Sequence, residues 1–246
     1  MRTNPVFLEG LSFLSEEKIG RLMIALYMVI LSLLLFISPN GNGNILGSIF
    51  TPPDIFNFII VCVSISSSLF IVICFTILNF RFEETKNWIT YGNLSSLKII
   101  IGKLKFSILF SLIIVLLSVP LIVYAALSSI VHALSVIFTV VFIFAVLLSL
   151  GQVWIFSGIL FNNKKVIQSI ILWIYLFVYL IISANILPGY NPVLILTSVL
   201  KVPYNYLSPE IIFQRIQSIF YINIFLFFVG VISAHFLLHR KNRKNE

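Results

Sequence analysis

The residues that could do chemistry gather in one short stretch. From Arg81 to Lys105 the chain reads RFEETKNWITYGNLSSLKIIIGKLK and holds Arg81, Lys86, Lys98, Lys103 and Lys105 with Glu83 and Glu84, out of sixteen basic and eight acidic residues in all. No nucleotide site is written there. A phosphate-cradling loop needs G-x-x-x-x-G-K-[ST] after a strand, whereas the one Gly-Lys pair, Gly102-Lys103, stands at the start of an apolar run. His235 and His239 lie one helical turn apart at the end of the last apolar run and read as head-group contacts rather than metal ligands. Cys62 and Cys74 fall inside an apolar run and read as small buried hydrophobes. The apolar runs carry no Asp, Glu, Lys or Arg in their central regions, so the ionisable mid-membrane group that a self-powered carrier uses is missing. What remains is mechanical. A short helix over residues 82–91 would place Trp88 and Tyr91 on one side, with Glu83 and Glu84 near its N-terminus, where the helix dipole favours acidic residues. Such a helix, joined to two membrane spans, can carry a push from a soluble partner into the bilayer; the alternative reading is a loop whose amphipathic face rests on lipid head groups.

The elements that must position this stretch are membrane spans. The chain has 246 residues, 60% of them hydrophobic and 10% charged, against roughly a quarter charged in soluble domains. Its apolar runs reach or exceed the ~20 residues that cross a bilayer as helix, and they do not alternate as barrel strands would. The reading is an all-α polytopic membrane protein, one transmembrane domain over residues 1–246, with six transmembrane helices at about 22–38, 55–80, 99–128, 133–161, 166–187 and 216–238. The first run follows Glu16 and Glu17 and lacks a small-x-small cleavage pattern, so it reads as a span rather than a removable signal.

Before it, Phe7, Leu8, Leu11 and Leu14 recur at helical spacing and Pro5 sits where a first turn can begin, which predicts an interfacial amphipathic helix. Gly92 breaks the helix at 82–91, and Ser95 is placed to cap a new one that runs into the third span. Pro120 removes a backbone bond from that span and predicts a kink. The fourth run is longer than a bilayer needs, which predicts tilt, a bend at Gly151 or projection into the interface. Residues 193–200 are apolar but too short to cross and read as re-entrant or interfacial. The intramembrane amides Asn57, Gln152, Asn185 and Asn223 read first as packing contacts between helices, with the lining of a route as the alternative.

Charge orients the whole. One side of the six-span pattern collects Arg2, Lys18 and Arg21, the five basic residues of the charged stretch, Lys164 and Lys165, and Arg240, Lys241, Arg243 and Lys244, and the other side collects Lys201 and Arg215. Basic residues mark the cytoplasmic side, so both termini and the charged stretch are expected in the cytoplasm.

The run from Arg81 to Ala125 resembles the permease subunit of ABC transporters of the ABC-2 type. The resemblance is carried by Glu83 and Glu84, by Trp88 to Asn93, by Ser95, by Ile100-Ile101-Gly102-Lys103 and by Ser118-Val119-Pro120, together with the opening Asn4-Pro5-Val6-Phe7. Two positions depart from it: Thr85-Lys86 follows the acidic pair, and Gly92-Asn93-Leu94-Ser95 forms the turn. It implies an elbow helix containing Pro5, Phe7 and Leu11, and a cytoplasmic coupling helix whose Glu83, Glu84, Trp88 and Tyr91 meet an ATPase. It also implies a turn into the membrane at Ser95, Gly102 and Lys103, and a kink at Pro120. The chain would bind no cofactor and be no enzyme. ATP and Mg2+ would belong to two copies of a cytoplasmic ATP-binding ABC subunit, with a second permease copy or paralogue completing an exporter in the bacterial cytoplasmic membrane. The partners would be these subunits and the lipid bilayer, with no nucleic acid. The competing reading is a non-transporting membrane scaffold or assembly factor for a secretion or maturation complex.

Overall fold

The computed structural model describes residues 4–37, 52–91, 96–129, 133–161, 164–186, 191–194, 217, 221–226, 228, 229 and 232. The chain is an all-α polytopic membrane protein. Its helices are α1 (Pro5–Ser15), α2 (Lys18–Ile37), α3 (Pro52–Tyr91), α4 (Ser96–Ser128), α5 (Ala133–Leu160) and α6 (Lys165–Phe177); α6 continues through a π-helical turn, Val178–Ile182, into α7 (Ser183–Ile186). Among the described residues five helices are long and apolar enough to cross a membrane, in α2 to α6 with the π-helical turn. The sixth expected span, 216–238, lies largely outside the described residues; of it, 221–226 is helical, and Asn223 Nδ2 donates to the Ala145 carbonyl of α5 at 3.1 Å.

The first span begins four residues earlier than its apolar run, because Lys18 and Arg21 are good helix formers and the single Gly20 between them does not interrupt the helix. A larger difference concerns the charged stretch. Residues 82–91 are helical as expected, but they continue α3 instead of forming a separate short helix. No Gly or Pro stands between Phe80 and Tyr91, and Arg, Glu and Lys propagate a helix once it exists. At 1.5 Å per residue the part beyond Phe80 extends α3 by about 16 Å. Gly92 and Ser95, the expected break and cap, lie outside the described residues.

The bundle is held by aromatic rings and by small residues that let helices approach. Among helix pairs α4 and α5 touch most extensively. A Cβ on Gly151 would come 1.8 Å from Ser107 Oγ of α4, so Gly151 serves close packing. α5 runs unbroken through it to Leu160. Likewise α4 passes through Pro120 as one helix, with the ring on its exposed side.

Many buried hydroxyls bond to their own helix one turn back, as Ser67 does to the Val63 carbonyl at 2.6 Å and Ser118 to that of Ile114 at 2.9 Å. Those two hydroxyls also meet the Tyr27 hydroxyl, at 2.7 and 2.6 Å, and the Tyr27 ring stacks on Phe70 at 4.7 Å. Tyr27 is thereby the polar tie of α2, a helix otherwise largely exposed to lipid. Tyr27→Phe is expected to lower stability by only about 0.5–1.5 kcal/mol, because both serines keep their carbonyl partners. Thermal unfolding in detergent measures this, and a loss well above that range would mean that the hydroxyl does more than tie α2.

Candidate functional site at the docked N-terminal helix

α1 starts as its sequence dictates. Asn4 is the N-cap, its Oδ1 accepting from the Val6 amide at 3.0 Å, and Pro5 occupies the first helical position, where no N–H is needed. The face that packs inward is Val6, Gly10, Phe13 and Leu14. Of the stripe Phe7, Leu8, Leu11 and Leu14, Leu14 shares this buried face, Phe7 and Leu11 are only partly buried, and Leu8 is 45% exposed. A residue without a side chain sets this facing. At Gly10 the Phe106 ring of α4 comes so close that a Cβ would lie 2.3 Å from it.

The same docking brings together the two ends of the sequence pattern. The Asn4 side chain also donates from Nδ2 to the Lys98 carbonyl of α4 at 2.6 Å, and Gly102 lies under Asn4 and Val6, where a Cβ would be 2.6 Å from Asn4 Oδ1 and 2.8 Å from Val6 Cβ. Asn4-Pro5-Val6 and Gly102-Lys103 are thus one contact across some hundred residues of chain. Beside it, Lys103 is half-buried, its Nζ 4.9 Å from the centroid of the Trp154 ring of α5, and its ammonium interacts with the Glu9 carboxylate of α1. Gly158, one turn beyond Trp154, makes room for that ammonium: a Cβ there would sit 3.1 Å from Nζ. A cation over an indole away from water is worth about 2 kcal/mol.

Trp154 connects this junction to the interior. Its ring is fully buried, stacked on Phe75 of α3 at 4.4 Å with planes 3° apart, and meets Phe106 edge-on at 6.3 Å. Its Nε1 donates to Asn79 Oδ1 at 2.7 Å, and Asn79 Nδ2 reaches Ser169 Oγ of α6 at 3.5 Å. Asn79 stands two residues before the charged extension of α3. Lys165 Nζ fixes the same turn, donating to the Phe80 carbonyl at 2.9 Å. Side chains of α1, α3, α4, α5 and α6 therefore converge where the charged extension leaves the bundle.

Comparison with known protein families, with characterised proteins and with solved structures gives no match for this chain.

Of the residues singled out from the sequence, Pro5, Gly102 and Lys103 lie in this junction and Phe7 packs against the core beside it. Glu83, Glu84, Trp88 and Tyr91 belong to the extension of α3; their side chains, and Ser95 altogether, lie outside the described residues. Pro120 is far along α4 and takes no part. Gly10, Asn79 and Trp154 also belong to the junction, and no sequence motif marks them. A lone Asn at the end of one apolar run and a Trp near the end of another were visible in the sequence, but their pairing was not. Among the amides weighed as packing or lining, Asn223 packs and Asn185 is exposed; Asn57 Oδ1 and Gln152 Oε1 have no partner among the described residues. Among the described residues there is no cluster of His, Cys, Asp or Glu suited to a metal.

Proposed function

We propose that this chain is the membrane-spanning permease subunit of an ATP-driven transporter of the ABC-2 type, moving its substrate with ATP hydrolysed by a separate cytoplasmic subunit. The observation that carries the proposal is the contact of Asn4 and Val6 with Lys98 and Gly102, next to the helical extension of α3. A transmembrane subunit driven from outside needs a lever that leaves the bilayer and a rigid joint that passes its motion to several spans. The extension of α3 supplies the lever. Asn79, Trp154, Lys103 and the docked α1 supply the joint. Two ATP-binding subunits and a second permease copy or paralogue would complete the complex in the cytoplasmic membrane, where the basic residues place this end inside.

The test has two parts. Purification from detergent extract is expected to recover a stoichiometric ATP-binding subunit. In the reconstituted complex, replacing Glu83, Glu84 and Trp88 by alanine is expected to reduce substrate-stimulated ATPase activity at least tenfold, equivalent to about 1.4 kcal/mol, while membrane insertion is unchanged. A stable particle with no ATPase subunit would point to the scaffold reading, and full coupling in the triple variant would take the lever out of the mechanism.

A further inference from the structure

Away from the junction, an apolar groove of about 410 Å³ runs between α3 and the far half of α6. Ile65 and Leu69 form one wall; Trp173, Phe177 and Ile181 line the other, and Val193 and Leu194 close one end. It lies where the π-helical turn Val178–Ile182 interrupts α6. A π-helical turn carries an extra residue, so the stripe of α6 side chains that would close against α3 falls out of register beyond Phe177.

We propose that this groove is a binding site for one acyl chain of a membrane lipid. Both walls belong to helices that cross the bilayer, so the medium outside is hydrocarbon. The rim is open to it, with Leu69, Trp173 and Phe177 all exposed. The single polar lining residue, Asn191, has nothing to offer a polar ligand. Its Nδ2 donates to the Leu180 carbonyl at 2.8 Å and to Ser183 Oγ at 2.9 Å, with a longer contact to the Tyr179 carbonyl, and its Oδ1 accepts from the Leu194 amide at 2.9 Å. An unfilled groove would forfeit the dispersion contacts of its walls, and its volume is that of a pocket for a molecule of drug size. The described part of the last helix does not fill it, since none of those residues lines the groove and Asn223 sits on Ala145 of α5. A flexible hydrocarbon chain meets each of these conditions.

The experiment uses the full chain in phosphatidylcholine vesicles containing phosphatidylcholine brominated midway along its acyl chains. Quenching assigned to Trp173, by difference from Trp173→Phe, is expected to show a saturable step at low brominated-lipid fraction, above the linear rise from bulk lipid. Narrowing the groove with Leu69→Phe and Leu180→Phe is expected to abolish that step while the melting temperature stays unchanged. Quenching that only follows bulk composition would overturn the site. Complete protection of Trp173 would overturn it too, by showing that a second copy of the chain covers the groove.

Discussion

Trp154→Ala is expected to cost about 3–5 kcal/mol of stability, the range for removing a large aromatic side chain from a packed core, and to uncouple the N-terminal helix from the bundle. Four contacts end on this indole: the Phe75 stack, the edge of Phe106, the Lys103 ammonium and the Asn79 amide. Thermal unfolding of the detergent-solubilised protein measures the loss. The polar part is separable with Trp154→Phe, which keeps a ring against Phe75 but leaves Asn79 Oδ1 buried without its donor, at a cost of about 1–3 kcal/mol. Asn79→Leu in the same chain then removes the stranded acceptor. If the bond matters, the double variant is more stable than the two single losses predict, by the roughly 0.6 kcal/mol typical of hydrogen bonds between membrane helices or more. Strict additivity would mean that Trp154 acts through packing alone.

The second large effect falls on Gly20. A Cβ at this position would lie 1.8 Å from the Phe13 carbonyl oxygen, 2.7 Å from its carbon and 3.1 Å from the Leu14 Cα. All three are backbone atoms, so no rotamer relieves the clash. The turn between α1 and α2 is tight, with the Glu16 and Glu17 amides both donating to the Ser12 carbonyl at 2.8 and 3.3 Å, and Gly20 lets the two helices fold back against each other there. Gly20→Ala is therefore expected to cost at least about 1–3 kcal/mol by overpacking and to lift α1 from α4. A cysteine at Val6, 1% exposed in the native packing, reports the lift: in the Gly20→Ala background it should react with a membrane-impermeant maleimide, and in the parent it should not. Equal protection in both chains would mean that α1 stays docked and that the turn adjusts elsewhere.

These two residues show where reading the sequence stops. Runs of Leu, Ile, Phe and Val with no central charge have no stable place but the hydrocarbon, so membrane spans and their approximate ends followed from composition and length. So did the start of α1, since the tolerance for Pro5 in a first helical turn is a local property. The face that α1 turns inward did not follow, because several faces of an amphipathic helix are apolar enough to be buried. The choice fell to Gly10, whose missing side chain admits Phe106. The charged stretch was legible as helix but not as part of α3, since helix propensity gives the state of a segment and not its continuity with the preceding span.

What the sequence by itself determined is the membrane class of the chain, five of its spans among the described residues, and the concentration of charge at one end of them. What only the tertiary structure decided is the meeting of Asn4 with Gly102, of Lys103 with Trp154 and of Trp154 with Asn79. The physical reason is range. Hydrophobicity, capping and helix propensity act within a few residues and repeat along the chain, whereas a glycine that admits a ring or an amide that finds an indole takes its meaning from a partner that only packing brings near.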